Sequence, residues 1–179
     1  PVADASEYPA DITDVAATRD GSTVWLADND NHRLIRWSLD NDGQVRVGRR
    51  GESLGQLYHP FMLTLNPGGD VLITDVMNGR IAAFSPAGAT LQSIGAYGIE
   101  MGQVYRPKGV VTDADGNVWV SDGTLNVVQV FSKDGAPIDV LRAKDGNPLN
   151  FASPMGITFD AEGRLYVTEL LAHRVTRLE

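Results

Sequence analysis

No cysteine occurs among the 179 residues, which removes disulfides, a thiolate nucleophile and cysteine-ligated zinc. Basic residues are the next shortage: 15 Lys and Arg stand against 23 Asp and Glu, for a formal charge of −8. That balance disfavours nucleic acid as the main partner, because phosphate contacts draw on Lys and Arg. Only Arg46, Arg49 and Arg50 lie close enough in sequence to suggest a local basic patch. No apolar run nears the roughly 18 residues that a membrane helix requires, so membrane insertion is not expected. The opening Pro1-Val2-Ala3 has neither the basic nor the apolar stretch of a signal peptide, as in a mature exported chain. A periplasmic or extracellular location is the expectation. Signatures of catalysis are missing too: there is no Gly-x-Ser-x-Gly elbow, no phosphate-cradling glycine loop and no His-Glu-x-x-His helix. No window sustains a 3.6-residue apolar stripe, which excludes a helical solenoid.

What the chain does hold is one pattern copied four times at a constant step. Asp28, Asp75, Asp122 and Glu169 follow one another at intervals of 47 residues. So do Trp25, Leu72, Trp119 and Tyr166, and so do Trp37, Phe84, Phe131 and Leu178. Pro60, Pro107 and Pro154 keep the same interval. A fixed period of this length marks one supersecondary unit stacked on its copies, since a single unit cannot bury its own apolar faces.

Within each copy the apolar runs are short and rich in β-branched and aromatic residues. The third copy predicts strands over 109–112, 118–121, 127–131 and 138–141, separated by Asp/Asn/Gly turns. The second predicts them over 62–65, 71–74, 81–84 and 90–94, and the first over 15–18, 24–27, 34–37 and 44–47. Asp20-Gly21, Gly68-Gly69, Asp115-Gly116 and Asp134-Gly135 supply the positive φ that tight hairpins need. Val24 to Ala27 and Val118 to Val120 are apolar at consecutive positions, so both faces of those strands should be covered. Sheets covered on both faces, at constant pitch, predict an all-β fold: a β-propeller of four blades, each a four-stranded antiparallel sheet.

The fourth copy offers runs only over 155–159, 165–167 and 175–178, so its blade lacks an outer strand. Two closures stand. Pro1 to Tyr8 would complete that blade in a closed four-blade ring, or the blades form an open arc whose unpaired edges another chain covers. The expected organisation is a single domain over 1–179, with blades at about 11–57, 58–104, 105–151 and 152–179.

Pro107-Lys-Gly-Val-Val-Thr-Asp113, Asp115-Gly-Asn-Val-Trp-Val-Ser-Asp122 and Asn126-Val-Val-Gln-Val-Phe131 together resemble one NHL repeat. Asn31-His-Arg-Leu-Ile35 carries the signature of that family, and Pro154-Met-Gly-Ile-Thr-Phe-Asp160 with Gly163 to Glu169 matches again. The resemblance covers nearly the whole chain and implies a β-propeller, usually of six blades, against which four copies are a departure. It implies a choice of roles: protein-interaction platform, RNA binder, receptor sensor domain or, in a minority, enzyme. In the peptidyl-hydroxyglycine lyase branch, histidines just after the blade-entry prolines hold zinc. Here those positions are Phe61, Lys108 and Met155, so the ligands do not match. The metal cage of gluconolactonase-like propellers has no counterpart that can be placed in this sequence.

The residues themselves suggest few sites. Asp28, Asp75, Asp122 and Glu169 recur too regularly for chemistry. Each would accept backbone N–H groups of a turn, with Arg33, Arg80 or Arg174 five residues on as partner; Val127 breaks that series for Asp122. His32 and His173 occupy equivalent positions and are weak metal candidates, since in a closed four-blade ring they would be neighbours. Asp113-Ala-Asp-Gly-Asn117 and Asp40-Asn-Asp-Gly43 look like calcium-loop openings, but Val118 stands where an EF-hand needs glycine, leaving hairpin turns. Residues that break the repeat are better candidates. The connections over 51–59, 96–106 and 143–153 should share one face with the turns after the second strands, gathering Asn29, Asn31, His32, Tyr58, His59, Tyr97, Tyr105, Arg106, Phe151 and His173. Tyr58, Tyr105 and Phe151 have an alternative use as apolar plugs before each proline. The expectation is a non-catalytic module with no cofactor, binding a protein or its own copies through blade edges. The alternative is a metal-dependent lyase or lactonase.

Overall fold

A computed structural model describes residues 9–178. They contain no helix and form four antiparallel sheets, each in chain order. The first sheet is β1 (Ile12–Ala17), β2 (Thr23–Asp28), β3 (Arg33–Ser38) and β4 (Gly43–Val47). The second is β5 (Pro60–Leu65), β6 (Val71–Asp75), β7 (Arg80–Phe84) and β8 (Thr90–Ile94). The short strands β9 (Ala96–Tyr97) and β10 (Gln103–Val104) then pair in parallel within a connection. The third sheet is β11 (Pro107–Thr112), β12 (Val118–Asp122), β13 (Val127–Phe131) and β14 (Pro137–Val140). The last holds only three strands, β15 (Pro154–Phe159), β16 (Leu165–Glu169) and β17 (Arg174–Leu178). Pro1 to Tyr8, the segment that would complete the last blade in the closed-ring alternative, lie outside the described residues.

The first strands of the four sheets stand side by side, β1 on β5, β5 on β11 and β11 on β15; no comparable interface joins β15 to β1 among the described residues. Close approach in this inner row explains a glycine. A Cβ on Gly109 would lie 2.5 Å from the Met155 carbonyl oxygen and 3.0 Å from the Ile157 nitrogen. β5, β11 and β15 each start at their proline and then bulge, which tolerates a residue without an N–H at the strand's first position.

Alternation along each strand sends successive side chains to opposite faces, and each inter-sheet space fills from both sides. Trp25, Ala27 and Leu34 meet Val71, Ile73 and Phe84 between the first two sheets. Leu72, Ile81 and Ala83 meet Val118, Val120 and Phe131 between the next two. Val128 and Trp119 meet Leu165, Val167 and Phe159 between the last. The connections are sealed by Leu57, Val104 and Phe151, all buried and 47 residues apart.

The 47-residue step fails at one strand. Val15 and Leu63, which pair with Leu26 and Ile73, are 48 residues apart while their partners keep the interval of 47. The turn from Thr18 to Ser22 absorbs the extra residue, held by Asp20, whose carboxylate accepts from the Ser22 N–H and the Thr18 hydroxyl. Hence β1 spans 12–17, not 15–18.

Candidate functional site

The four repeated carboxylates are buried and tie each second strand to the connection that enters the sheet. Asp28 accepts from the Asp11 N–H, the Asn31 amide and Arg33 Nε, at 3.1, 3.0 and 2.8 Å. Asp75 accepts from the Tyr58 N–H at 2.6 Å, the Asn78 amide at 2.7 Å and Arg80 Nε at 2.8 Å. Burial nonetheless pushes the Asp75 carboxyl above the usual range, against those donors. Glu169 accepts from the Ala152 N–H at 2.8 Å, from Arg174 Nε at 2.7 Å and from the Thr176 hydroxyl. Arg174 holds its carboxyl down at about 2. Asp122, without an arginine, receives four backbone N–H groups instead, from Tyr105, Arg106, Thr124 and Leu125 at 2.6 to 3.0 Å. Their acceptor capacity is spent on the fold. Asp113 likewise organises its own hairpin, accepting from the Asp115 and Asn117 N–H groups and from Trp119 Nε1.

The histidine position of the signature is a backbone requirement. His32, Gly79, Asn126 and His173, spaced at 47, all have φ between 50° and 63°. This is the left-handed region that glycine, asparagine and histidine tolerate best. His173 is exposed there and has no ring contact with His32 among the described residues.

His32 is paired with His59. Their rings stand edge to face with centroids 4.5 Å apart, and both contact Tyr58 at 5.2 Å. The Nδ1 of His32 accepts from the His59 N–H at 3.2 Å, so a neutral His32 carries its proton on Nε2. Burial, then the nearby His59 and Arg50, push its pKa down. The Asn29 amide donates to the Pro60 carbonyl at 2.8 Å, which turns its Oδ1 toward His59 Nδ1, also at 2.8 Å. That contact places the proton of neutral His59 on Nδ1 and leaves a lone pair on Nε2. The two imidazoles are thus fixed as opposite tautomers, one presenting a donor and one an acceptor, and do not form a matched pair of metal ligands. Asp30, His32, Arg50, Tyr58 and His59 line a cleft of about 340 Å³, with the Arg50 guanidinium 5.0 Å above the Tyr58 ring.

One repeat further on the same arrangement recurs with exchanged residues. Tyr97 takes the place of Arg50, Tyr105 that of Tyr58, and Arg106 that of His59. Arg106 lies 4.8 Å from the Tyr105 ring centroid and 5.9 Å from that of Tyr97, the two tyrosines being 5.1 Å apart. Glu52, Met77, Asn78 and Arg80 complete a cleft of about 370 Å³ with Tyr97 and Arg106. Beside it Lys108 extends over the Gly123 turn, with Nζ 4.9 Å from the Phe61 ring centroid. Burial, and after it the Arg106 charge, hold the Lys108 pKa down.

Of the ten residues expected on the loop face, Asn29, His32, Tyr58 and His59 form the first cluster, and Tyr97, Tyr105 and Arg106 the second. Asn31 is turned inward onto Asp28, His173 stands apart, and Phe151 lies in the third core. Phe151 falls in step with Leu57 and Val104, one residue before the tyrosines, so it is the plug while they are half-buried cleft walls. Arg50 and Lys108 were not among the ten. Arg50 stood only in the Arg46/Arg49/Arg50 patch, and the interval of 47 back from Tyr97 is the signal that would have placed it in a cleft; Lys108 stood only as the residue after an entry proline.

No protein-family model matches the chain, and no curated protein matches it. Solved structures do. The virginiamycin B lyase of Staphylococcus aureus, in a catalytically inactive form with quinupristin, superposes with a TM-score of 0.71 at 15% identity, over 94% of this chain and 55% of that one. A nidogen/laminin complex gives 0.75 at 23% identity, over 94% and 60%. The WD40 repeats of RRP9 give 0.64 at 14% identity, over 95% and 51%. The chain spans between about half and about two thirds of the length of the solved lyases it matches, 53% to 69%. At these identities the likeness concerns architecture: the chain has a propeller-type, all-β repeat fold.

Proposed function

We propose that this chain is an NHL-type propeller domain acting as a rigid, non-catalytic binding module, with blades at about 11–57, 58–104, 105–151 and 152–179. Its partner is a protein, further copies of the chain included. One observation carries this reading. The repeated carboxylates are consumed by the fold, while the connections into two successive sheets gather Tyr, Arg and His side chains into two clefts. Tyrosine and arginine held by neighbouring rings lose little entropy on binding and are typical anchors of protein interfaces. Propeller neighbours captured with another protein, as in the nidogen/laminin complex, agree with that use. Self-association draws on a separate observation: among the described residues no strand pairs with the outer edge of β17, and Val175 is 61% exposed where its equivalents Ile81 and Val128 are fully buried.

A metal-dependent lyase or lactonase is the weaker reading. It would use the His59 Nε2 lone pair, but among the described residues no three His, Asp or Glu side chains converge on it. Affinity capture with the immobilised chain, followed by mass spectrometry of what is retained, tests the proposal. A partner held by the parent chain and lost by the Tyr58→Ala/Tyr105→Ala variant is the expected result. Identical retention by both, or no partner at all, overturns it.

A further inference from the structure

The two clefts hold cations of two kinds. Arg80, which lines the second cleft, is fully engaged: besides Asp75 it donates to the carbonyls of Glu52, Ser53 and Gln56 at 2.8 to 3.1 Å. Arg50 and Arg106 are not. Arg50 donates to the Tyr58 hydroxyl at 3.3 Å and Arg106 to the Tyr105 carbonyl at 3.1 Å, and among the described residues neither forms an ion pair. Each guanidinium lies over tyrosine, which holds its plane; Arg50 is exposed and Arg106 half-buried. Lys108, half-buried beside Arg106 with its ammonium over the Phe61 ring, forms no ion pair among the described residues, and the His32 tautomer adds a neutral N–H donor to the first cleft. On a chain with a net charge of −8, this is a local concentration of unsatisfied donors.

We propose that this face binds an acidic peptide segment whose carboxylates seat on Arg50 and Arg106. The inference rests on the binding-module reading and gives it a ligand chemistry. A planar fork matches a carboxylate in bidentate fashion. Arg106 lies 5.9 Å from the ring of Tyr97, the residue equivalent to Arg50, and packed sheets stand about 10 Å apart, so the two guanidinium sites are separated by roughly three residues of extended chain. The geometry therefore selects two acidic residues about three positions apart. Asp30 and Glu52 at the two rims repel a segment offered in another register, which favours specificity over affinity. Nucleic acid fits less well: Arg50 and Arg106 lie on the rings of Tyr58 and Tyr105, and the rim acids oppose a continuous run of phosphates.

Fluorescence anisotropy with fluorescein-labelled hexaglutamate tests this on the whole chain. Binding is expected, weakening as salt is raised past a few tenths molar. Arg50→Ala/Arg106→Ala should weaken it about tenfold or more, with Arg142→Ala, a remote cation, leaving it unchanged. The variant Asp30→Lys/Glu52→Lys should tighten it several-fold, a gain that a folding defect cannot imitate. No binding by the parent chain, or indifference to both double variants, overturns the proposal, as does displacement of hexaglutamate by a lower concentration of oligouridylate. Should hexaglutamate fail while a captured partner still depends on Tyr58 and Tyr105, the ligand chemistry falls and the binding-module reading stands.

Discussion

At the scale of single residues the chain uses one device four times, and its variations show what the device needs. A buried carboxylate must find three or four donors, and an arginine five residues on is only one way of supplying them. Asp122 makes the point because all its donors are backbone N–H groups, two on each oxygen. Asp122→Asn puts an NH₂ against two of those donors. It should cost about 2–3 kcal/mol in urea unfolding without changing the m-value, and a loss under about 0.5 kcal/mol would refute the account. The acid limb of stability can be followed at two of its groups. His32 is pushed below its ordinary 6.5, so the unfolded chain takes up its proton first, and stability declines as pH falls below about 6.5. Glu169, held at about 2 against an ordinary 4.5, contributes stability that is complete above 4.5 and is lost as pH falls toward 2. His32→Asn, which keeps the left-handed backbone, should flatten the first decline, and Glu169→Gln should reduce the second, to which Asp160, also held at about 2, contributes, in melts run across pH. At His173 the backbone decides: His173→Gly should stay within about 0.5 kcal/mol of the parent, while His173→Val, β-branched at φ 50°, should lose about 1–2 kcal/mol.

At the scale of elements the inner row of strands is the tightest part of the design. Gly109→Ala forces a methyl group against the Met155 carbonyl and should destabilise by about 2 kcal/mol, measured by thermal unfolding. Every strand of the four sheets was legible as an apolar run, because turn residues and β-branched runs act locally. The entry prolines, by contrast, look like loop residues until the bulge that admits them is seen. β9 and β10 were not legible: two-residue parallel pairing has no period to detect. The offset of β1 was hidden because Val15 to Thr18 is as apolar as Ile12 to Ala17, and only the pairing with β2 chooses between them. The site was half legible for a related reason. Departures from the repeat pointed to Tyr58, His59, Tyr97, Tyr105 and Arg106, but whether a side chain seals a core or walls a cleft turned on a single position, which separates Phe151 from its expected companions. The tautomers of His32 and His59 depend on contacts between separate turns, so no reading of the chain alone would have supplied them.

At the scale of the whole molecule stability is the sum of nearest-neighbour interfaces between sheets, as in any stacked repeat. The second and third sheets are covered on both faces, whereas β17 carries Arg174, Val175 and Arg177 outward. Opening should accordingly be graded. Amide exchange is expected to be slowest in β6, β7, β12 and β13 and at least tenfold faster in β16 and β17, since the last sheet can detach by breaking one interface. Uniform protection across all four sheets would mean that the last sheet is held by something beyond its contact with the third. A pair of substitutions locates that something. Ile81→Ser, in the core between the second and third sheets, should cost about 3 kcal/mol. The equivalent change Val175→Ser should cost under about 0.5 kcal/mol if the outer face of the last sheet meets water. A cost above about 2 kcal/mol, accompanied by a fall in solution mass, would place another copy of the chain on that face. The same cost at unchanged monomer mass would place the chain's own remaining segment there.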